Sequence, residues 1–267
     1  MKKVLITGAN SYIGVSVENW LKRWPDEYEI TTINMIGDGW KNESFIGYDT
    51  VYHVAGIAQT KETKENAHMY YKINRDLSME VAKKAKAAGV GQFIFMSSMS
   101  VYGMDTGVIT RETAPNPKSN YGKSKVEAER GLKELESTNF RICVLRPPMV
   151  YGKGCKGNFQ SIVKLVKKFP VFPYVKNYRS MIHNLRQFIK LAIDCGLSGL
   201  YFPQNKEYVC TTELAKVIAD TLGKKVFLSR LIGVVVKIGC LFAPLCRKAF
   251  GCLIYQDTEL YGFNYCI

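Results

Sequence analysis

Short apolar runs alternate with amphipathic stretches through the first two-thirds of the chain, and this alternation constrains the fold more than any other feature. Residues 3–7, 28–34, 50–54, 92–96 and 141–145 read as strands. Between them, residues 13–24, 69–88 and 121 to about 135 carry helical periodicity, with Val17 and Leu21 on one side of the first helix and Gly89 ending the second. Strands separated by helices imply right-handed crossovers and a parallel sheet. The expected fold class is α/β, a doubly wound parallel sheet, and ligands of such sheets gather beyond the carboxyl ends of the strands.

After Arg146 the pattern loosens. Pro147-Pro148, Gly152, Gly154 and Gly157 mark a long loop before a helix at 159–169. Residues 1–148 are expected to form a dinucleotide-binding domain of the Rossmann type. Residues 149–267 are expected to form mostly a small C-terminal substrate-binding lobe, with 182–203 returning a helix and a strand to the main sheet. The apolar segment 231–245 contains Lys237 and Pro244 and is short for a membrane span. It reads as a buried or partner-facing helix in preference to membrane contact, and Arg230 and Arg247 at its flanks allow peripheral association at most.

The chain has 267 residues and a formal net charge of +14. The basic residues are scattered rather than gathered in one block, which suits either a nucleic-acid partner or an enzyme drawing in phosphate-bearing anions. Eight cysteines lack C-x-x-C spacing and no export signal opens the chain, so reduced thiols and a cytoplasmic location are expected. The three histidines, at 53, 68 and 183, lack metal-ligand spacing, and no metal is expected.

The motifs separate the two readings of the charge. Thr7-Gly8-Ala9-Asn10-Ser11-Tyr12-Ile13-Gly14 joins the first strand to the first helix. Glycine and small residues there admit a pyrophosphate close to the backbone, and the helix N-terminus supplies N–H groups and positive dipole. Tyr121 and Lys125 stand four residues apart on one helix face. A free tyrosine titrates near pH ~10, so action as a base at neutrality asks for about 4 kcal/mol of phenolate stabilisation, which a neighbouring ammonium favours. Met96-Ser97-Ser98-Met99-Ser100-Val101-Tyr102-Gly103 follows the fourth strand.

Together these segments resemble the NAD-dependent epimerase/dehydratase family, the extended short-chain dehydrogenases, and in particular its nucleotide-sugar 4-epimerase branch. Thr7-Gly8-x-x-Ser11-x-x-Gly14 is similar to that family's T-G-x-x-G-x-x-G opening, with Ser11 where the middle glycine usually stands. The resemblance implies a cofactor site of Gly8, Asn10, Ser11, Tyr12, Ile13 and Gly14, with Asn34 at the adenosine ribose, Asp38 near the adenine, and Val54, Ala55 and Gly56 along phosphates and ribose. Lys125 and Pro147 border the nicotinamide end. Asn34 replaces the usual acid and does not repel a 2′-phosphate, so NAD is expected and NADP is not excluded.

The resemblance further implies Ser98, Tyr121, Lys125 and Asn74 as the catalytic set, and Ser98, Ser100, Tyr121, Asn158 and Arg179 as substrate contacts. Met99 and Ser100 follow Ser98 where a dehydratase would carry its extra acid/base pair, which disfavours dehydration. The expected reaction is 4-epimerisation of a UDP-hexose or UDP-N-acetylhexosamine. The alternatives are reduction of a nucleotide-linked 4-keto-6-deoxy sugar and, from a different class, a non-catalytic dinucleotide sensor. A homodimer through the helices at 69–88 and 121–135 is expected, with no nucleic-acid partner and no membrane insertion.

Overall fold

The computed structural model describes residues 1–58, 62–155 and 158–256, leaving aside the side chains of Asn158, Pro244 and Leu245. In chain order the elements begin β1 Lys2–Thr7, α1 Tyr12–Leu21, β2 Tyr28–Ile33, β3 Thr50–His53, α2 Ala67–Tyr70, α3 Leu77–Ala87, β4 Gln92–Met96, β5 Gly107–Ile109, α4 Asn120–Leu135 and β6 Arg141–Leu145. They continue β7 Met149–Val150, α5 Asn158–Lys168, β8 Val171–Pro173, β9 Met181–Ile182, α6 Leu185–Asp194, β10 Gly199–Tyr201, α7 Thr211–Thr221, β11 Phe227–Ser229, α8 Arg230–Phe242, α9 Pro244–Phe250 and β12 Leu253–Tyr255.

The described chain falls into two compact units. The first comprises Met1–Gly103, Pro115–Pro147 and Asn184–Pro203. Its sheet has six strands in the order β10-β6-β4-β3-β1-β2, every neighbouring pair parallel. The strands are nearly all buried, as a parallel sheet covered on both faces requires. On one face Phe93, Phe95, Phe140 and Ile142 pack with Val81, Ala82 and Ala85 of α3 and Ala128 and Leu132 of α4. Residues 199–201 do join this sheet beside β6, through the register Gly199↔Cys143.

The helical stretch before β4 departs from the expected single α-helix. A π-helical segment, Tyr71–Asp76, separates α2 from α3. The wider turn carries Asn74, fully buried, inward, and Arg75 of the same segment pairs with Glu127 of α4 at 2.7 Å. Sequence periodicity does not reveal such a bulge, because the extra residue is absorbed within one turn while the apolar spacing on either side stays helical.

The second unit comprises Met104–Ala114, Pro148–His183 and Gln204–Ile267. It holds three short parallel pairs, β5 with β12, β7 with β9 and β8 with β11. Buried polar groups tie it together: Asn177 accepts from the Thr211 N–H at 3.0 Å and Ser180 Oγ accepts from the Tyr255 N–H at 2.8 Å. Residues 104–114 lie here rather than with residues 1–103, because β5 pairs with β12 and not with the large sheet. The excursion of residues 104–114 is the departure from the expected division of 1–148 and 149–267 with 182–203 returning to the main sheet. The apolar segment forms α8 as a helix, but its apolar side chains are exposed rather than buried. Among the described residues, no helix is long and apolar enough to cross a membrane.

Candidate active site

The first crossover builds one wall of the site. Gly8 adopts φ +106°, a left-handed conformation that side chains resist, and a Cβ there would lie 2.9 Å from the Ala55 nitrogen. Asn10 also has positive φ, at 67°. Ser11 is the N-cap of α1 and accepts from the Gly14 N–H at 3.0 Å. The residue standing in the middle-glycine position thus spends its hydroxyl on the helix it begins. Tyr12, Ile13 and Gly14 form the first turn, and a Cβ on Gly14 would meet Ser11 Oγ at 2.6 Å. Val54 donates its N–H to the Thr7 carbonyl, which sets Val54-Ala55-Gly56 beside the first turn. Two adjacent turns stripped of side-chain bulk, with a helix N-terminus opening from one of them, fit a dinucleotide pyrophosphate.

At the adenosine end the fit is looser. Asn34 is exposed, and its Oδ1 accepts from the Ile36 N–H, closing a local turn. Asp38 is exposed and pairs with Lys41 at 2.8 Å; the hydrogen bond and charge of Lys41 hold its carboxyl below the usual range. Cations therefore accompany the acid in this stretch, and Asn34 carries no charge to repel a 2′-phosphate.

The residues expected to react converge at the carboxyl end of β4. Ser98 caps the short turn Met99–Tyr102, its Oγ accepting from the Ser100 N–H and donating to Ser100 Oγ, both at 3.1 Å. The Met99 N–H donates to the carbonyl of Pro147, which ties this turn to the exit of β6. Helix α4 begins at Asn120, capped by Ser119, whose hydroxyl accepts from the Gly122 N–H. A Cβ on Gly122 would stand 2.7 Å from the Ser100 carbonyl oxygen. Only glycine lets the first turn of α4 sit this close to the serine turn, and that approach brings Tyr121 to Ser98. The Ser98 hydroxyl is near enough to act on the Tyr121 phenol, in the direction that favours the phenolate. Tyr70 lies edge-on to the Tyr121 ring, with centroids 6.4 Å apart.

Lys125 is buried. It donates from Nζ to the Met96 carbonyl at 2.7 Å and lies 4.6 Å from the centre of the Phe95 ring. Burial pushes this ammonium down to about 7, against the pull of Glu129 one turn further on. Burial likewise holds the Tyr121 phenol above its usual range, and the Ser98 hydrogen bond works in the opposite direction. In this arrangement the lysine ammonium donates to a strand-end carbonyl. Asn74 accepts at Oδ1 from the Ile57 N–H and donates from Nδ2 to the Ile57 carbonyl and to Ser124 Oγ. A Cβ on Gly56 would come within 2.8 Å of Asn74 Oδ1 and 3.4 Å of Lys125 Nζ. The bare turn after β3, Asn74 and Lys125 thus occupy one neighbourhood.

Three residues the motifs did not flag support this set. The Glu62 carboxylate accepts from the N–H groups of Asn120 and Tyr121, at 3.1 and 3.0 Å, satisfying the exposed start of α4 with an anion. Nothing in the sequence around Glu62 signals this. Glu129 is buried, receives two hydrogen bonds from Arg146, at 3.0 Å from Nε and 2.5 Å from a terminal nitrogen, and accepts from Ser97. Arg146 also donates to Tyr102 at 2.7 Å. The spacing Lys125 to Glu129 did place that carboxylate on the face of the lysine. His53 is fully buried between Thr7 and Ser78, and Ser78 donates to the Asn74 carbonyl.

In the second unit, Arg179 donates to the carbonyls of Gly251 at 3.1 Å and Arg247 at 3.4 Å. Burial lowers its pKa, so the guanidinium is partly desolvated while meeting neutral acceptors. Asn158 opens α5.

A parallel sheet, a glycine turn into its first helix, and a Ser–Tyr–Lys set at a strand end define a Rossmann-type dinucleotide enzyme. The model of the NAD dependent epimerase/dehydratase family matches residues 4–169, and the chain belongs to that family as an NAD(P)-dependent enzyme. UDP-glucose 4-epimerase of Vibrio cholerae is 29% identical over 256 residues, covering 84% of this chain and 76% of the relative. N-acetyl-alpha-D-glucosaminyl-diphospho-ditrans,octacis-undecaprenol 4-epimerase of Escherichia coli O157:H7 is 27% identical over 244 residues, covering 84% and 73%. Among solved structures, UDP-glucuronic acid 4-epimerase from Bacillus cereus in complex with NAD superposes with a TM-score of 0.72 at 17% identity, over 96% of this chain and 89% of that one. dTDP-4-dehydrorhamnose reductase from Bacillus anthracis in complex with NADP gives 0.68 at 23%, over 85% and 83%. These structures share the fold.

Proposed function

We propose that this chain is a nucleotide-sugar 4-epimerase, acting on a UDP-hexose or UDP-N-acetylhexosamine, with Ser98, Tyr121, Lys125 and Asn74 as its catalytic set. The observation that carries the reading is the convergence of the Ser98 turn and the start of α4, through the close approach of Gly122 to Ser100, at the carboxyl end of β4, in a chain whose relatives in V. cholerae and E. coli are named as 4-epimerases. Tyr121 removes the proton of the sugar 4-hydroxyl. Ser98 holds that oxygen and, with Ser100, orients the sugar. Lys125 fixes the cofactor ribose and supplies positive charge, while Asn74 keeps the α4 start and the turn after β3 in register. NAD, held by the residues named below, would supply the acceptor and then the donor for the hydride of that same carbon. The 4-keto sugar turns over between the two transfers, and Tyr121 gives its proton back to the new epimer. Gly8, Asn10, Ser11, Tyr12, Ile13, Gly14, Val54, Ala55, Gly56 and Pro147 hold the cofactor, with Asn34 and Asp38 at its adenosine end. Asn158 and Arg179 engage the nucleotide diphosphate; a desolvated guanidinium is well suited to an anion.

The test is incubation of the purified protein with UDP-glucose and UDP-N-acetylglucosamine, followed by resolution of the 4-epimers. Epimer formed without added cofactor supports the reading, because the cycle regenerates its own NAD. A second reading, reduction of a nucleotide-linked 4-keto-6-deoxy sugar, is favoured by Asn34 in place of an acid. Consumption of NADPH on the keto sugar with no epimer would establish it and overturn the first. The polyprenyl-diphosphate-linked sugar named for the E. coli relative belongs in the same panel. The protein is proposed to act in the cytoplasm, in keeping with free thiols at all seven described cysteines, and as a homodimer through residues 69–88 and α4.

A further inference from the structure

Helix α8 turns its apolar side outward. Leu231 is 83% exposed, Val235 68%, Leu241 71% and Phe242 80%, with Ile232, Val234 and Ile238 also open. At 3.6 residues per turn these seven positions fill roughly half the helix circumference. The opposite side is the seat: Gly233 is buried, and a Cβ there would lie 2.1 Å from the Tyr174 carbonyl oxygen. A small residue under the helix and large ones above it is the reverse of the usual arrangement for a surface helix. The open surface continues onto β11, where Phe227 is 69% exposed and pairs in register with exposed Val171 of β8.

The segment that carries this face has charge of one sign. Residues 221–256 contain no Asp or Glu, yet include Lys224, Lys225, Arg230, Lys237, Arg247 and Lys248. Arg230 and Lys237 are seven residues apart and so line one border of the apolar arc. A second copy of this chain would bring the same cationic rim against itself, which a twofold interface penalises. Water is a poor partner for so many contiguous apolar side chains. An anionic bilayer surface satisfies both features, taking the apolar arc at the acyl boundary and the cations among its headgroups. At about 20 Å the helix is too short to cross ~30 Å of hydrocarbon, so it lies in the surface plane.

We propose that α8, with the adjoining edge of β11, docks this protein on an anionic lipid bilayer. The proposal does not depend on which sugar the enzyme takes. It is tested by co-sedimentation of the full chain with phosphatidylcholine vesicles, with and without phosphatidylglycerol. The protein is expected to pellet with the anionic vesicles and to be released by salt. Leu231→Glu/Leu241→Glu should weaken binding at least tenfold with basal turnover of a free nucleotide sugar unchanged. Removing exposed cations, as in Lys225→Gln/Lys237→Gln, should cost about fivefold each; both side chains are exposed and read out docking even if the glutamate pair fails to fold. Protein left in the supernatant, equal binding to pure phosphatidylcholine, or full binding by the glutamate pair with native circular dichroism would overturn the proposal. So would light scattering that shows a dimer which the glutamate pair dissociates.

Discussion

Tyr121 and His53 show how burial sets charge at single residues. Burial opposes the Tyr121 phenolate and Ser98 acts in the other direction, so the base proposed here needs further stabilisation, which positive charge nearby would give. Tyr121→Phe is expected to lower turnover by about 10²- to 10⁴-fold while NAD affinity, followed calorimetrically, stays within a few-fold. His53 is pushed down to about 3, first by burial and then by the charge of Lys125. It stays neutral in the fold but protonates in the unfolded chain below pH ~6.5. The unfolded state therefore binds the extra proton between those values, and stability falls as pH drops from about 6.5 to 3. Thermal melts across that window should show the loss, and a shallower slope for His53→Gln would assign it; an unchanged slope would refute it. His53 was legible in the sequence only as a histidine without metal spacing. Its burial between Thr7 and Ser78 depends on strand order.

At the scale of elements, α4 is placed by its ends. Glu62 and Ser119 satisfy its first N–H groups, and Gly122 permits its approach to the serine turn. Gly122→Ala adds helix propensity worth up to about 1 kcal/mol, yet it drives a methyl against the Ser100 carbonyl. Turnover is expected to fall about 10- to 100-fold with little change in melting temperature, the signature of a misplaced rather than an unfolded site. Ser119→Ala should instead cost about 1 kcal/mol of stability, read from denaturant titration. The Tyr121–Lys125 spacing was legible because a helix repeats every 3.6 residues. The π-turn that carries Asn74 was not, since its extra residue leaves the flanking pattern intact.

At the scale of the whole molecule, cofactor choice and assembly are the open quantities with clear outcomes. Asn34→Asp should shift the NADP/NAD affinity ratio at least tenfold toward NAD, because a carboxylate repels the 2′-phosphate. Equal ratios for the two proteins would show that β2 does not read that phosphate. Light scattering is expected to give about twice the chain mass of 30.2 kDa. The alternation of apolar strands and amphipathic helices determined the parallel sheet, and the Gly8, Ser98 and Tyr121 motifs marked the strand ends where the candidate site lies. Both are local patterns, written in periods of two and 3.6 and in residues a few positions apart. Tertiary structure alone decided the rest. It decided that residues 104–114 leave for the second unit through β12, that Glu129 and Arg146 meet beneath Lys125, and that α8 faces outward from a glycine seat. Each depends on partners distant in the chain, and no local period records which side of an element those partners will cover.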